Sequence, residues 1–413
     1  FPFQSHNQMK LRHFFYGTIA SLLVLLLVWI LQPLEWDNKT SCTECLVRHW
    51  GYPFEAHTVE TKDGYLLELH RIPHGRVSTD KGKPRIPVLL QHGLALDSSN
   101  FVANLPHQSL AFMLADAGFD VWLGNCRGNS YGRRHVKFHH WDSEFWDFSW
   151  QEMASHDMPA IVDRVLEVTG YKKLDYIGHS QGGLIAFARL SEDDDFTDKI
   201  NNVFALAPAL SVTSIRGPIY MIAPLAPVLQ FIERIAGGSF GLFRRSIIND
   251  LLSSTFCKDS IYFTDACVEF VRVVGGDRTD QLNTSRLDVY MSSYPDGMST
   301  KNVVHFGQMV SDKRTARFDY GIEENLKRYG CEIPPAYNFT NVRVPMHIWY
   351  SPNDALVSDV DLREIIIPTL HPEYLKLNVS LPQYNHIDFH WGLRAVEDIY
   401  EPIIDILMKE HNI

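Results

Sequence analysis

The feature that most constrains the fold of this chain is a strand, a tight turn and a helix in immediate succession at residues 174–187. Residues 174–177 form a short, mostly apolar run, residues 178–182 read Gly-His-Ser-Gln-Gly, and an apolar helix-like run follows. A Gly-x-Ser-x-Gly turn in this context lifts the serine hydroxyl clear of a parallel sheet and aims a helix N-terminus at the same space. The pattern therefore predicts that Ser180 is a nucleophile at the edge of an α/β sheet.

Two other segments carry the same five-residue pattern, so their surroundings must decide between them. Ser130, in residues 128–132, is followed by a basic cluster instead of an apolar helix. Ser239, in residues 237–241, comes after a helical pattern and beside a Gly-Gly pair that typically ends a helix. Ser180 alone has a strand-like run before it and a helix-like run behind it.

The order of the remaining segments predicts an α/β fold with a mostly parallel sheet. Residues 57–72 alternate around an Asp-Gly turn, which is typical of a hairpin. Residues 86–91 are an apolar strand suited to the middle of a parallel sheet, and a helix is expected from about residue 149 to residue 169. Strands and helices alternate in this way as far as residue 210.

The alternation stops after residue 210, where the sequence becomes apolar, helical and interrupted by proline and Gly-Gly pairs. It resumes with strands at residues 344–350 and 375–381, and a closing helix is expected from about residue 391 to residue 409. The predicted domains are an N-terminal segment at residues 1–46, a core at residues 47–210 and 341–413, and a helical cap with a lid at residues 211–340.

The N-terminal segment is predicted to be a signal peptide or a signal anchor with a short linker. Lys10 and Arg12 precede an uncharged apolar run at residues 14–31. Such a pattern directs a chain into the secretory pathway and leaves its positive end in the cytoplasm. Because the run is long and no convincing cleavage site follows it, cleavage and retention as a membrane tether both stay open. The expected location is lysosomal or secreted, with a membrane-anchored luminal form as the alternative.

Residence in the secretory lumen agrees with other features of the sequence. Four Asn-x-Ser/Thr tripeptides predict glycosylation, at Asn38, Asn283, Asn338 and Asn378. Six cysteines then permit disulfides. Cys257 and Cys267 flank a short segment and are the preferred pair, whereas Cys42 and Cys45 could close a small loop, stay free or pair elsewhere. The other two cysteines are not assigned.

Composition excludes several classes of function. A net charge of −11 over 413 residues, without an evident basic face, argues against a nucleic-acid partner. A zinc site built on Cys42 and Cys45 would need a second cysteine pair at suitable spacing, and none follows. We therefore expect neither a metal nor an organic cofactor.

A serine nucleophile needs a base, because an unperturbed hydroxyl is a poor nucleophile. In folds with this turn, an acidic residue and a histidine follow the serine in chain order, each on a loop after a strand. The first such loop after the cap contains Asp354, and the next contains His386. We predict that His386 takes the Ser180 proton and returns it to the leaving alcohol, while Asp354 orients the imidazole. The alternatives that stay open are His390 for the base and Asp359, Asp361 or Asp388 for the acid.

The tetrahedral intermediate needs two hydrogen-bond donors for its oxyanion. This fold takes one backbone N–H from the residue after the nucleophile and another from the loop after an early strand. Those residues are Gln181 and Leu94. Since both act through the backbone, their side chains are expected to matter less.

Five stretches of the sequence together resemble the acid lipases, the family of lysosomal acid lipase and gastric lipase. They are residues 92–94, 124–129, 178–182, 283–290 and 384–389. The resemblance runs from about residue 49 to about residue 406. It implies an α/β-hydrolase core with a lid-bearing cap, a triad of Ser180, Asp354 and His386, and a cap disulfide between Cys257 and Cys267.

The expected function is therefore that of a serine lipase. Such an enzyme cleaves neutral lipid esters, such as triacylglycerols or steryl esters, through an acyl-enzyme at a lipid–water interface. The cap carries more apolar side chains than a small insertion needs for its own core: Ile219, Tyr220, Met221, Ile222, Leu225, Val228, Leu229, Phe231 and Ile232. The alternatives are an esterase for small soluble esters and a catalytically inactive lipase-like carrier or adhesion protein.

Overall fold

A computed structural model describes residues 42–77, 84–216, 220, 224, 226–243, 257, 264–277 and 279–413. The apolar run at residues 14–31, the glycosylation site at Asn38 and part of the apolar cap surface lie outside these residues. Among the helices of the described residues, none has the length and apolar character needed to cross a membrane.

A nine-stranded sheet forms the centre of the molecule. The strands of the described residues are β1 (Glu55–Glu60), β2 (Tyr65–Ile72), β3 (Pro87–Gln91), β4 (Asp120–Gly124), β5 (Arg134–His135), β6 (Leu174–His179), β7 (Ile200–Leu206), β8 (Gly241–Leu242), β9 (Met298–Ser299), β10 (Met346–Tyr350) and β11 (Leu375–Ser380). The sheet runs in the order β1-β2-β4-β3-β6-β7-β10-β11, and β5 pairs with β2. Strands β1 and β2 are antiparallel. The neighbouring strands β4-β3-β6-β7-β10-β11 are all parallel. The predicted α/β class with a mostly parallel sheet is confirmed.

Helices connect the strands and cover both faces of the sheet. The α-helices of the described residues are α1 (Thr43–His49), α2 (Leu110–Asp116), α3 (Trp150–Glu152), α4 (Met158–Thr169), α5 (Gln181–Glu192), α6 (Asp194–Thr197), α7 (Ala226–Ala236), α8 (Thr264–Gly275), α9 (Leu287–Ser293), α10 (Thr300–Asp312), α11 (Ile322–Tyr329), α12 (Asp388–Trp391) and α13 (Glu401–His411). A π-helical turn, Met153–Asp157, joins α3 to α4, so this region is helical over nearly the whole range expected from the sequence.

Alternation of side chains along the central strands produces two cores, one on each face of the sheet. Leu89 in β3 and its cross-strand neighbour Trp122 in β4 belong to one buried cluster. Val88 and its neighbour Val121 belong to the other. Every residue of β3, β4 and β6 is buried, because helices cover both faces of a parallel sheet.

The closing helix begins later in the chain than expected. Helix α12 ends at Trp391, and a π-helical turn at Val396–Tyr400 continues directly into α13, which begins at Glu401. Glycine is a poor helix former, and Gly392 instead pairs as an isolated bridge with Leu282. The closing helix expected from about residue 391 to about residue 409 is therefore confirmed from Val396 onward. Its start was wrong, because a contact with a distant segment replaces helical hydrogen bonds there.

Residues 211–340, which we call the cap segment, add no strand to the main sheet within their described part. They contain α7 to α11 and the two-stranded pair of β8 with β9. Lys301 ties the cap segment to the core, since its Nζ donates to Asp147 Oδ1 at 2.8 Å. Asp361 of the core accepts hydrogen bonds from the first cap residues, including the N–H and hydroxyl of Thr213 at 2.6 and 2.8 Å.

A buried ion cluster holds the hairpin against the helices. The guanidinium of Arg127 donates to Asp63 at 2.6 and 2.9 Å and to Asp157 Oδ1 at 2.7 Å. Its carbon lies 3.9 Å from the centre of the Tyr65 ring. The Arg127 and Asp157 side chains are 1% and 0% exposed, so each needs the other to offset the cost of burying its charge.

Replacing Arg127 by methionine should destabilise the fold strongly. Arg127→Met keeps much of the side-chain length but leaves the Asp157 carboxylate buried without its cation. We expect the free energy of unfolding, measured by urea denaturation, to fall by about 3–5 kcal/mol. The control is Lys327→Met, which breaks an exposed pair with Glu323 and should leave the urea midpoint unchanged. Equal midpoints for the two variants would contradict the prediction.

Candidate active site

Ser180 occupies the turn between β6 and α5 in a strained conformation. Its φ of 53° and ψ of −119° lie where side-chain-bearing residues are rare. A Cβ on Gly178 would lie 2.7 Å from the backbone of Gly182, and one on Gly182 would lie 2.4 Å from the Gln91 carbonyl oxygen. The turn therefore needs glycine on both sides of the serine, which explains the Gly-x-Ser-x-Gly pattern physically.

Asp354 and His386 lie on the loops that follow β10 and β11, and they are joined directly. His386 Nδ1 and Asp354 Oδ2 are 2.7 Å apart, and both side chains are at most 3% exposed. The other carboxylate oxygen, Oδ1, accepts hydrogen bonds from the N–H groups of Leu356 and Val357, each at 2.8 Å. A carboxylate at Nδ1 favours the tautomer that leaves Nε2 free to accept a proton.

The serine turn contacts the His386 loop through His179, the residue before Ser180. The rings of His179 and His386 are 4.7 Å apart, and His179 Nε2 lies 3.2 Å from the His386 carbonyl oxygen. Burial and the neighbouring imidazoles of His390 and His386 lower the pKa of His179 well below its usual range. The uncharged His179 ring thus joins the serine turn to the histidine loop.

The alternative residues have other partners. Ser130 donates to Asp296 through both its N–H and its hydroxyl, each at 2.8 Å. The ring of His390 packs 4.0 Å from that of His179, and burial lowers its pKa to about 3. Asp361 binds the start of the cap segment, as described above. The structure therefore pairs Asp354, and not Asp361, with the imidazole of His386.

The two predicted oxyanion donors flank the serine turn. Gln181 is the first residue of α5, where backbone N–H groups have no helical partner. Gly93, directly before Leu94, packs so tightly on the turn that an added Cβ would lie 2.9 Å from Ser180 Cβ. Over the described part of the chain, neither the Leu94 nor the Gln181 N–H donates a hydrogen bond to another residue.

His92 holds the Gly93–Leu94 peptide in place. Its Nε2 accepts a hydrogen bond from the Cys126 N–H at 3.1 Å, so the proton lies on Nδ1, which is 2.8 Å from the Gly93 carbonyl oxygen. Burial lowers the pKa of His92 to about 4, which keeps the ring neutral. Because C=O and N–H point in opposite directions across a planar peptide, this bond turns the Leu94 N–H away from His92.

The side chain of Gln181 has contacts that its sequence position does not reveal. Its Oε1 accepts a hydrogen bond from Asn302 Nδ2 in α10 at 2.7 Å, and its Nε2 lies 3.3 Å from Met153 Sδ. Gln181 therefore links the serine turn to the cap segment. From the sequence we expected the identity of this side chain to matter less, because the predicted role uses only the backbone N–H. No local sequence pattern indicates the contact with Asn302.

Four of the six cysteines form disulfides, and three of the predicted glycosylation sites are among the described residues. Disulfides join Cys257 to Cys267 and Cys42 to Cys45, whereas Cys126 and Cys331 are free. Asn338 and Asn378 are exposed and Asn283 is half-buried. Over the residues that the structure describes, no group of three or more His, Cys, Asp or Glu side chains is arranged to hold a metal ion.

Comparisons with known proteins agree with this geometry. A model described as a partial alpha/beta-hydrolase lipase region matches residues 43–105, and one described as the alpha/beta hydrolase fold matches residues 86–255. The chain is 42% identical to lipase lipl-1 of Caenorhabditis elegans, over 89% of this chain and 91% of that protein. It is 38% identical to human lipase member K, over 89% and 90% of the two chains. It is also 36% identical to bovine gastric triacylglycerol lipase, over 88% and 90%.

Solved structures share the fold at much lower sequence identity. A crystal structure of a putative lipase from Sulfolobus solfataricus superposes with a TM-score of 0.55 at 15% identity, over 86% of this chain and 94% of that one. At this level of identity, the match supports the architecture of the sheet and helices alone.

Asp388, two residues after His386, should make stability depend on pH. It is 1% exposed, and burial raises its pKa to about 6, against about 4 in an unfolded chain. The native state then binds this proton more tightly than the unfolded state does. The contribution to stability is present below about pH 4 and is lost as pH rises through 6, by roughly 3 kcal/mol in all.

Asp388→Asn should remove this dependence, because the amide keeps the shape but cannot ionise. Urea denaturation at pH 4 to 7 should show wild type and variant equally stable near pH 4, and the variant more stable at pH 7. Asp405→Asn, on the exposed face of α13, is the control and should follow wild type. Parallel curves for wild type and Asp388→Asn would exclude this role for Asp388.

Proposed function

This chain belongs to the lipases of the alpha/beta hydrolase fold, and from that membership we propose that it hydrolyses neutral lipid esters, such as triacylglycerols or steryl esters, through Ser180, His386 and Asp354. The observation that carries the proposal is the buried hydrogen bond of 2.7 Å between Asp354 and His386, next to the strained serine turn. A strained nucleophile, a histidine and a carboxylate that orients it are the parts that acyl transfer needs.

In the proposed mechanism, Ser180 Oγ attacks the ester carbonyl while His386 Nε2 removes its proton. The oxyanion of the tetrahedral intermediate accepts hydrogen bonds from the N–H groups of Leu94 and Gln181. His386 then gives the proton to the departing alcohol, and the acyl group remains on Ser180. Water attacks this ester by the same route in reverse, with Asp354 stabilising the imidazolium each time it forms.

A lipid substrate is supported by the surface of the cap segment. Val228, Phe231, Ile232 and Ile235 follow helical spacing along α7, and they are 50%, 62%, 38% and 73% exposed. Apolar side chains at positions i, i+3, i+4 and i+7 form one face of a helix. Such an exposed apolar face is typical of surfaces that meet lipid, which favours a lipase over an esterase for small soluble esters.

The proposal extends to organisation and location. It takes residues 47–210 and 341–413 as the hydrolase core and residues 211–340 as the cap with its lid. Two disulfides are typical of a chain that folds in the secretory pathway. We infer a lysosomal or secreted enzyme, with residues 14–31 as a signal peptide or membrane tether, and with glycans on the four predicted sites, Asn38, Asn283, Asn338 and Asn378.

Ser180→Ala tests the chemistry. Purified wild type and variant would be assayed from pH 4 to 8 on emulsified long-chain triacylglycerol, a steryl ester and a short soluble ester. Loss of the nucleophile should lower kcat by at least about 10⁴-fold on every ester that wild type cleaves. Ser130→Ala, which removes the hydroxyl of a second Gly-x-Ser-x-Gly segment, should keep wild-type activity. Inactivity of wild type on all three esters would favour the carrier or adhesion alternative.

The apolar face of α7 is tested separately. The double variant Phe231→Gln, Ile235→Gln replaces two apolar side chains by glutamine, which is a good helix former. Because apolar surface is lost, activity on an emulsion should fall at least about tenfold. Activity on a short soluble ester should stay unchanged, because the change leaves the buried triad intact. Arg234→Gln on the same helix is the control. Equal losses on emulsion and soluble ester would argue against contact of this face with lipid.

A further inference from the structure

Residues 275–277 and 279–282 of the cap segment, which we call the strap, run along both loops that carry the acid and the base. The Gly275 carbonyl oxygen accepts hydrogen bonds from two N–H groups, that of His386 at 2.8 Å and that of Ala355 at 3.3 Å. Ala355 follows Asp354 directly. One carbonyl of the cap segment therefore joins the backbones of the Asp354 and His386 loops.

The next residue of the strap contacts the Asp354 loop still more closely. Gly276 forms an isolated antiparallel bridge with Asp354. Its φ of 129° favours glycine, and an added Cβ would lie 2.3 Å from the Asn353 carbonyl oxygen and 3.2 Å from the Ala355 nitrogen. Any larger residue at position 276 must therefore displace the loop that holds Asp354.

Side chains extend the strap along the His386 loop. The hydroxyl of Thr279 donates to Asp388 Oδ2 at 2.8 Å, and the same oxygen accepts the Asn385 N–H at 2.8 Å. Further on, the Gln281 carbonyl oxygen accepts the Leu393 N–H at 2.8 Å. The strap thus follows the chain on both sides of His386.

The core supplies a link of its own between the two loops, from the Ser351 hydroxyl to the Tyr384 carbonyl oxygen at 2.5 Å. This bond lies near the ends of β10 and β11, whereas the strap contacts lie at and beyond Asp354 and His386. The strap also continues helix α8, whose Cys267 is bonded to Cys257. The position of α8 is therefore coupled to the loops through Gly275, the last residue of that helix.

We propose that the strap sets the geometry of the Asp354–His386 pair, so that Gly275, Gly276 and Thr279 are positioning residues for ester hydrolysis. This inference rests on the proposed function of the Ser180, His386 and Asp354 triad. The strap residues act through the backbone of the two loops and through Asp388, and they do not touch the reacting atoms. Movement of α8 in the cap would then be transmitted to the acid–base pair.

Gly276→Ala is the first test, with a short soluble ester as substrate so that lipid binding does not enter. The added methyl group must shift the Asp354 loop, and an error of about 1 Å in a catalytic group can cost on the order of 100-fold in rate. We expect kcat to fall 10- to 100-fold while KM stays within about twofold. Gly321→Ala is the matched control, because Gly321 also has a positive φ, but its added Cβ would have no heavy atom within 4 Å beyond the two adjacent residues.

Thr279 supplies a second test that does not depend on the folding of Gly276→Ala. Thr279→Val removes the hydroxyl and keeps the shape, whereas Thr279→Ser keeps the hydroxyl. In Thr279→Val, Asp388 loses the hydrogen bond that the Thr279 hydroxyl donates. We therefore expect kcat to fall several-fold and the pH profile of kcat/KM to shift. Thr279→Ser should restore both values.

The outcomes separate the inference from the function on which it rests. If Ser180→Ala is inactive but Gly276→Ala matches Gly321→Ala in kcat, or Thr279→Val matches Thr279→Ser, the strap does not position the pair. If Ser180→Ala keeps wild-type activity, the proposed triad itself is wrong. A lower kcat at unchanged KM for Gly276→Ala, together with rescue by Thr279→Ser, would support the inference. Should Gly276→Ala not fold, the two Thr279 variants decide the question.

Discussion

The architecture of the site depends on one sharp turn, in which the chain passes from β6 into α5 through a single residue of positive φ. Ser180 can hold this conformation because β6 is hydrogen-bonded on both sides, to β3 and β7, and because glycines at 178 and 182 let the backbones approach. The buried sheet around the turn holds it in this strained conformation. Parallel strand ends then bring the loops after β3, β10 and β11 to the same edge.

Burial of the surrounding groups shapes the electrostatics at that edge. His92, His179 and His390 are buried, and burial lowers the pKa of each ring, so all three stay uncharged. The carboxylate of Asp354 is satisfied by two backbone N–H groups and by His386, which offsets the cost of removing it from water. In the proposed mechanism, a charge that develops on His386 would therefore face one dominant partner, Asp354.

The cap segment forms hydrogen bonds with several loops of the main sheet. Asn302 donates to Gln181 beside the serine turn, Lys301 reaches Asp147, and the strap joins the loops of Asp354 and His386. Under the proposed positioning role of the strap, the place of the cap segment and the geometry of the Asp354–His386 pair depend on each other. The apolar face of α7, which we propose meets lipid, belongs to the same segment.

The sequence by itself determined the α/β class and the strands that bear the loops of the site, because alternation, glycine turns and strand–helix order are local patterns. Its resemblance to the acid lipases over five stretches indicated the family. The sequence also nominated Asp354 and His386 from chain order, and the structure joins their side chains across 32 residues. It did not indicate the bond between Gln181 and Asn302, 121 residues apart, the strap contacts of Gly275, or the break at Gly392. Only the tertiary structure decided these contacts, because they depend on how distant segments pack, and no local periodicity records that packing.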